Sequence, residues 1–292
     1  MKILVTPRSV TRSGHPSLEK LRAAGQEVVF CKAGAQPTED ELRALLPGCV
    51  GYVAGVEPVT ARALEAADQL RAISRNGAGV DNVHLAAAKA RGIAVLRAEG
   101  ANARGVAELA IGLIFALARG VIPADNVLKR GGWERGSAGV ELEGKTLGLV
   151  GCGRIGKLVA RMALGCGMEV AAFDAFPDLQ FNPGEGFRFA TLGEVISRAD
   201  FLSLHCPPTA DGRPAIDAPA LAKLKRGAFL INTARYDVCD ADAVLAELDS
   251  GALDAFDTEP PTDARLPKHP RVIATPHIGG FTRESIDRAM TR

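Results

Sequence analysis

Short apolar runs rich in Val, Ile and Leu alternate with helical patterns along this 292-residue chain. That rhythm dictates parallel sheets, because parallel neighbours must be joined by a crossover, usually a helix. Runs at 2–5, 27–30, 50–54, 72–74 and 93–96 form one series, and runs at 146–150, 169–173, 200–204, 228–231 and 271–274 form a second. At roughly 150 residues per domain, the length fits two such sheets. Between the series, Val106, Leu109, Ala110, Leu113, Ile114 and Leu117 repeat at i, i+3, i+4 and i+7, which predicts a helix over 103–119 leading into the second domain. The segment 131–144, which holds the sole tryptophan, Trp133, reads as a loop.

Composition narrows the function classes. With 35 basic and 34 acidic side chains the net charge is +1, and no Lys/Arg stripe is present to neutralise phosphates, so no nucleic-acid partner is expected. The longest strongly apolar run, 109–118, is closed by Arg119 and falls short of the ~20 residues that span a bilayer, so no membrane partner is expected either. The first residues read as a strand rather than a signal peptide, which implies a cytoplasmic protein. Cys31, Cys49, Cys152, Cys166, Cys206 and Cys239 show no CxxC pair and no metal-type spacing with histidine, so they read as reduced thiols and no metal is expected.

The strongest local signal is Lys145-Thr146-Leu147-Gly148-Leu149-Val150-Gly151-Cys152-Gly153-Arg154-Ile155-Gly156, a strand followed at once by GxGxxG and a helical pattern. Gly151 permits the tight turn, Gly153 lets backbone approach a pyrophosphate, and Gly156 lets helix and strand close up. Arg154 and Ile155 open the helix, whose N-terminus offers free N–H groups to that anion. Eighteen residues beyond Gly156, Asp174 ends the next apolar run, where a carboxylate accepts from both adenosine-ribose hydroxyls and repels a 2′-phosphate. No arginine follows until Arg188, so the cofactor read from this pattern is NAD rather than NADP.

Three polar residues stand near the ends of later strands, where open α/β sheets place ligands. They are Arg235 in Asn232-Thr233-Ala234-Arg235, Glu259 in Asp257-Thr258-Glu259-Pro260-Pro261, and His277 in Thr275-Pro276-His277-Ile278-Gly279-Gly280. Singly, each has an ordinary structural reading.

Together with Arg75-Asn76-Gly77-Ala78-Gly79-Val80-Asp81-Asn82, Val106-Ala107-Glu108, the Trp133 loop, His205-Cys206-Pro207 and Leu253-Asp254-Ala255-Phe256, these motifs resemble the D-isomer-specific 2-hydroxyacid dehydrogenases, and among them the phosphoglycerate dehydrogenases. The resemblance implies an α/β fold of two doubly wound parallel-sheet domains with a cleft between them. These are a flavodoxin-like substrate domain (1–98 and 278–292) and a Rossmann NAD domain (99–277). It assigns catalysis to Arg235, Glu259 and His277, and the substrate carboxylate to a loop of Asn76, Gly77, Ala78 and Gly79. Arg75 would meet a substrate phosphate. Asp254 would meet the nicotinamide carboxamide, and Cys206, Pro207 and Thr233 would also contact cofactor.

The residue types suit that chemistry. Oxidising a 2-hydroxy acid removes a hydride from C2 and a proton from its hydroxyl, which calls for a base such as His277. A carboxylate such as Glu259 orients the ring and favours imidazolium, and a guanidinium such as Arg235 grips the carboxylate and polarises the carbonyl. The expected substrate is a small anionic D-2-hydroxy acid or 2-keto acid, 3-phosphoglycerate first because of Arg75, which would place the chain in serine biosynthesis. Glyoxylate or hydroxypyruvate reduction is the alternative. Two departures from the family pattern motivate a reading of another class, a non-catalytic, NAD-sensing corepressor. Tyr236-Asp237 stands where small residues usually follow the arginine, and the segment before the expected Leu253–Phe256 strand is about five residues short. A homodimer built by the NAD domain and the 103–119 helix is expected from that helix's apolar face.

Overall fold

The alternation folds into sheets whose every strand pairing is parallel. The computed structural model describes residues 1–136, 138–209, 211–247, 250–256 and 259–291. They fall into two units, Met1–Asn102 with Gly280–Arg292, and Ala103–Gly279.

In the first unit the strands are β1 (Lys2–Val5), β2 (Glu27–Phe30), β3 (Cys49–Ala54), β4 (Ala72–Arg75) and β5 (Ala94–Arg97). Their order is β2-β1-β3-β4-β5, the flavodoxin-like arrangement. Leu4, Tyr52 and Ile73 face a core shared with Leu42, Leu46, Ala63 and Leu64, and Val5, Val10 and Leu18 fill the opposite face. Threonines start two helices of the first face. Thr38 accepts from the Glu41 N–H while the Glu41 carboxylate accepts from the Thr38 N–H, and Thr60 accepts from the Ala63 N–H.

The second unit carries β6 (Thr146–Val150), β7 (Glu169–Phe173), β8 (Phe187–Phe189), β9 (Phe201–Leu204), β10 (Phe229–Asn232), β11 (Ser250–Leu253) and β12 (Val272–Ala274) in the order β12-β11-β10-β9-β6-β7-β8. This is the dinucleotide-binding order, with its reversal between β6 and β9. The central β6 is buried on both faces, Leu147 and Leu149 in one core and Val150 in the other.

Two strands lie outside the alternation read from the sequence. β8 is three residues of Phe-Arg-Phe, and β11 is Ser-Gly-Ala-Leu, with no β-branched residue to mark it. The strand expected over Leu253–Phe256 ends instead at Leu253, so Asp254 stands just past a carboxyl end. The helix Ala103–Ala118 buries Val106, Ala110, Leu113, Ile114 and Leu117. A further helix, Val121–Lys129, buries nothing and leaves Val121, Ile122 and Leu128 exposed, followed by Trp133 at 79% exposure.

All six cysteines are free. Burial raises the thiol pKa of Cys31, Cys49, Cys206 and Cys239, and lifts that of Cys152 to about 11.

Gly148, in the middle of β6, shows how tightly the second sheet is covered. A Cβ there would lie 2.9 Å from the Ala199 Cβ and 3.0 Å from the Val195 carbonyl oxygen. Gly148→Ala should therefore destabilise the protein by about 1–3 kcal/mol through overpacking. Urea unfolding checks this, and an unchanged midpoint would show that the helix Leu192–Arg198, which supplies Val195, can retreat.

Candidate active site

At the reversal of the second sheet, the ends of β6 and β9 meet through backbone. Gly151 has φ +93°, and a Cβ on it would lie 2.6 Å from the Cys206 nitrogen. The His205 N–H donates to the Val150 carbonyl at 2.7 Å. Gly156 faces the Gly151 carbonyl oxygen too closely for any side chain. Gly153, by contrast, precedes the helix Arg154–Gly165 and has open space where a Cβ would stand. Arg154 begins that helix at the surface, and Ile155 packs on the core.

Asp174 follows β7 with both oxygens oriented, Oδ2 accepting from the Cys152 N–H at 2.7 Å and Oδ1 from the Phe176 N–H at 2.9 Å. The carboxylate thus ties the glycine turn to the second strand. Across the reversal, Ser203 Oγ lies 2.9 Å from His205 Nε2, and burial lowers the pKa of the imidazole to about 4, so the ring is neutral. His205 Nδ1 and Thr233 Oγ1, at the ends of neighbouring strands β9 and β10, are buried polar atoms with no hydrogen-bond partner among the described residues. Open backbone at Gly153, a steered carboxylate at Asp174 and unpaired polar atoms fit a dinucleotide. Cys206 is half-buried and Pro207 exposed, immediately after β9.

The three catalytic candidates all belong to this unit. Asn232 closes β10 at 1% exposure and shapes the chain beyond it. Its Nδ2 donates to the Arg235 carbonyl at 2.8 Å, and its Oδ1 accepts from the Ala234 N–H at 3.0 Å. Arg235 Nη1 donates to the Ala234 carbonyl at 2.9 Å. Tyr236 packs its half-buried side chain against the core that holds Val238, so the bulky residue after the arginine is accommodated within its own unit.

Asp254 is 2% exposed and organises the turn beyond β12. Oδ1 accepts from the Thr275 hydroxyl at 2.7 Å and the Ile278 N–H at 2.8 Å, and Oδ2 from the Gly279 N–H at 2.7 Å. Between those anchors His277 adopts φ +53°, a left-handed conformation that a non-glycine residue holds only under constraint. Its Nδ1 lies 2.6 Å from Glu259 Oε1, with both side chains 40% exposed. Burial alone would raise the Glu259 carboxyl. The hydrogen bond and charge of His277, a Phe256 backbone hydrogen bond and the Arg235 guanidinium outweigh it and hold the pKa below the ordinary glutamate value. Asp257 and Thr258, which precede Glu259, lie outside the described residues. The anchoring roles of Asn232 and Asp254 are not read from the sequence, although an Asn between a strand and a Thr-Ala-Arg loop is an available turn signal.

The remaining candidates belong to the first unit. Arg75 ends β4 and turns back into its own loop, Nε donating to Asn82 Oδ1 at 3.0 Å and Nη1 to the Asn76 carbonyl at 2.8 Å. Gly77 lets the guanidinium lie close, since a Cβ would stand 2.7 Å from Arg75 Nη1 and displace it. Asn76 Oδ1 is buried with no hydrogen-bond partner, and the N–H groups of Ala78 and Gly79 donate to no acceptor among the described residues. Adjacent unpaired N–H groups in a small-residue loop suit an anion.

Residues 111–279 match the family model described as D-isomer specific 2-hydroxyacid dehydrogenase, NAD binding domain. The chain is also 42% identical to a hydroxypyruvate reductase of Thermotoga maritima over 257 residues, 85% of this chain and 83% of that protein. The chain belongs to the D-isomer specific 2-hydroxyacid dehydrogenase family. It is an NAD-dependent oxidoreductase of that family. A D-3-phosphoglycerate dehydrogenase of Mycobacterium tuberculosis is 39% identical over 263 residues, 87% of this chain and 50% of that protein, so the chain spans about half the length of this relative. A solved structure of a Thermus thermophilus protein superposes with a TM-score of 0.88 at 34% identity, covering 99% of this chain and 93% of that one.

Asp174→Ala in this dehydrogenase should weaken NADH binding and narrow the preference over NADPH. It removes the tether to Cys152 together with the carboxylate that the sequence pattern assigns to the ribose and sets against a 2′-phosphate. Fluorescence titration with both cofactors checks this, and unchanged affinities would assign the ribose to another residue.

Proposed function

We propose that the chain catalyses hydride transfer between NAD and C2 of a small D-2-hydroxy acid or 2-keto acid, with Arg235, Glu259 and His277 as its catalytic groups. The observation that carries this reading is the 2.6 Å contact of His277 Nδ1 with Glu259. It leaves Nε2 to face a substrate oxygen. In oxidation Nε2 takes the proton of the C2 hydroxyl, and in reduction it returns one, while the Glu259 charge stabilises the imidazolium. Arg235 holds the substrate carboxylate and polarises the C2 carbonyl, where negative charge grows during reduction. Within the first unit, the substrate unit of this proposal, the Ala78 and Gly79 N–H groups offer a carboxylate subsite. Gly151, Gly153, Gly156 and Asp174 hold the cofactor, with Thr233, Cys206 and Pro207 beside it. NAD, when bound, supplies the hydride acceptor and NADH the donor. Asp254 acts by fixing the His277 turn, and the carboxamide contact implied by the family remains open to its oxygens.

For the substrate, we take a three-carbon acid. Hydroxypyruvate, reduced to D-glycerate, is favoured because Arg75 spends Nε and Nη1 hydrogen bonds on shaping its own loop. The positive charge of Arg75 in that loop supports 3-phosphoglycerate as the second reading. The ratio of kcat/KM for hydroxypyruvate and 3-phosphohydroxypyruvate decides between them, and Arg75→Gln should depress both substrates alike if the first reading holds.

His277→Ala should lower kcat for keto-acid reduction by about 10²- to 10⁴-fold with NADH binding intact. Glu259→Gln should be milder, because it keeps a hydrogen-bonding group beside His277 Nδ1 and removes only the charge. Full activity in His277→Ala, or a loss in Glu259→Gln as large as that in His277→Ala, would overturn the mechanism.

A homodimer is part of the proposal. It is supported by the uncovered side chains of Val121, Ile122, Leu128 and Trp133 beside the Ala103–Ala118 helix. Light scattering at micromolar concentration should read twice the chain mass, and a monomer would refute it.

A further inference from the structure

We propose that Glu57 is a positioning residue for the substrate-carboxylate loop Asn76–Gly79, acting through Asn82 and Arg75. The inference rests on the assignment of that loop to the substrate. In the first sheet the strand order reverses between β1 and β3, so the crevice that open α/β sheets normally offer to a ligand lies beyond Val5 and Ala54. The Glu57 carboxylate occupies it. The residue is 1% exposed, and its Oε1 accepts from the Thr6 hydroxyl beyond β1, from the Tyr52 hydroxyl of β3 at 2.5 Å and from the Gly55 N–H at 2.8 Å. Burying a carboxylate costs several kcal/mol unless donors surround it, and here donors from both sides of the reversal converge on one oxygen.

The backbone of the same turn faces the loop. Asn82 Nδ2 donates to the Glu57 carbonyl at 2.7 Å and to the Gly55 carbonyl at 3.2 Å. Asn82 Oδ1 accepts from Arg75 Nε at 3.0 Å, and Arg75 Nη1 donates to the Asn76 carbonyl at 2.8 Å. The Asn76 N–H donates to the Ala54 carbonyl at 2.9 Å, which joins the loop to the end of β3 a second time. A run of Gly-Ala-Gly carries no side chain long enough to brace itself, and glycine makes its free state conformationally broad. The brace must come from outside. The carboxylate fixes the Gly55 N–H and with it the Ala54–Gly55 peptide, whose carbonyl accepts from the Asn76 N–H; the turn so held presents the Gly55 and Glu57 carbonyls to the Asn82 amide, and Asn82 holds the guanidinium against which the loop folds.

Steady-state reduction of hydroxypyruvate by wild type, Glu57→Ala, Glu57→Gln, Asn82→Ala and the Glu57→Ala/Asn82→Ala double variant tests this, with NADH affinity and Tm measured in parallel. Glu57→Ala should raise KM about 10-fold, with kcat and NADH affinity little changed, because the lost contribution is uniform binding of the substrate carboxylate. Glu57→Gln keeps an acceptor oxygen and should restore most of that loss. The double variant should raise KM no further than the worse single variant, because both residues lie on one line of contacts. If Glu57→Ala does not fold, Asn82→Ala alone tests the brace, since it should raise KM with kcat and NADH affinity little changed. A lowered Tm with unchanged KM, or additive effects in the cycle, overturns the positioning role while leaving the proposed activity in place. Absence of wild-type turnover on a panel of 2-keto acids overturns the substrate assignment of the loop, and the role of Glu57 with it.

Discussion

Parallel strands joined by crossovers must reverse their order somewhere if both faces of the sheet are to be covered, and at the reversal two adjacent carboxyl ends part. Both units meet this constraint, and they resolve it in opposite ways. Beyond β6 and β9 the chain places Gly151 against the His205–Cys206 peptide and leaves Gly153 without a neighbour, so the gap stays available to a dinucleotide. Beyond β1 and β3 the chain fills the gap with a buried carboxylate and three donors, so the gap becomes a rigid corner. One fold principle thus yields a receptive edge in one unit and a brace in the other.

Carboxylates divide the labour in the same spirit. Asp254 and Glu57 are buried and spend their oxygens on backbone and hydroxyl donors, which fixes loops. Asp174 and Glu259 are more open, Asp174 tying the glycine turn to the chain beyond β7 and Glu259 meeting the His277 ring. The left-handed backbone of His277 belongs to this division: its conformational cost, of order 1 kcal/mol, is offset by the three hydrogen bonds to Asp254 on either side of it.

What could be read from the sequence follows from how local the physics is. The glycine turn and Asp174 were legible because backbone crowding and a strand–turn–helix succession are encoded within some thirty residues. Arg235, Glu259 and His277 acquired roles only through family likeness, since nothing local brings a loop glutamate to a histidine eighteen positions later. The charge of Arg75 was visible and its direction was not, because Asn82 and the Asn76 carbonyl hold it against its own loop. Glu57 was invisible, since its partners Thr6 and Tyr52 meet it only once β1 and β3 pair. Strands β8 and β11 escaped because their residues are ordinary and their neighbours, rather than their composition, make them extended.

The thiols beside the receptive edge carry a consequence for handling the protein. Cys152 sits inside the glycine turn and Cys206 faces it across the reversal, yet burial keeps both thiols protonated at neutral pH. The thiolate is the form that alkylating agents and peroxide attack. Cys152 and Cys206 therefore present less thiolate at neutral pH than an exposed cysteine would, and react more slowly for it.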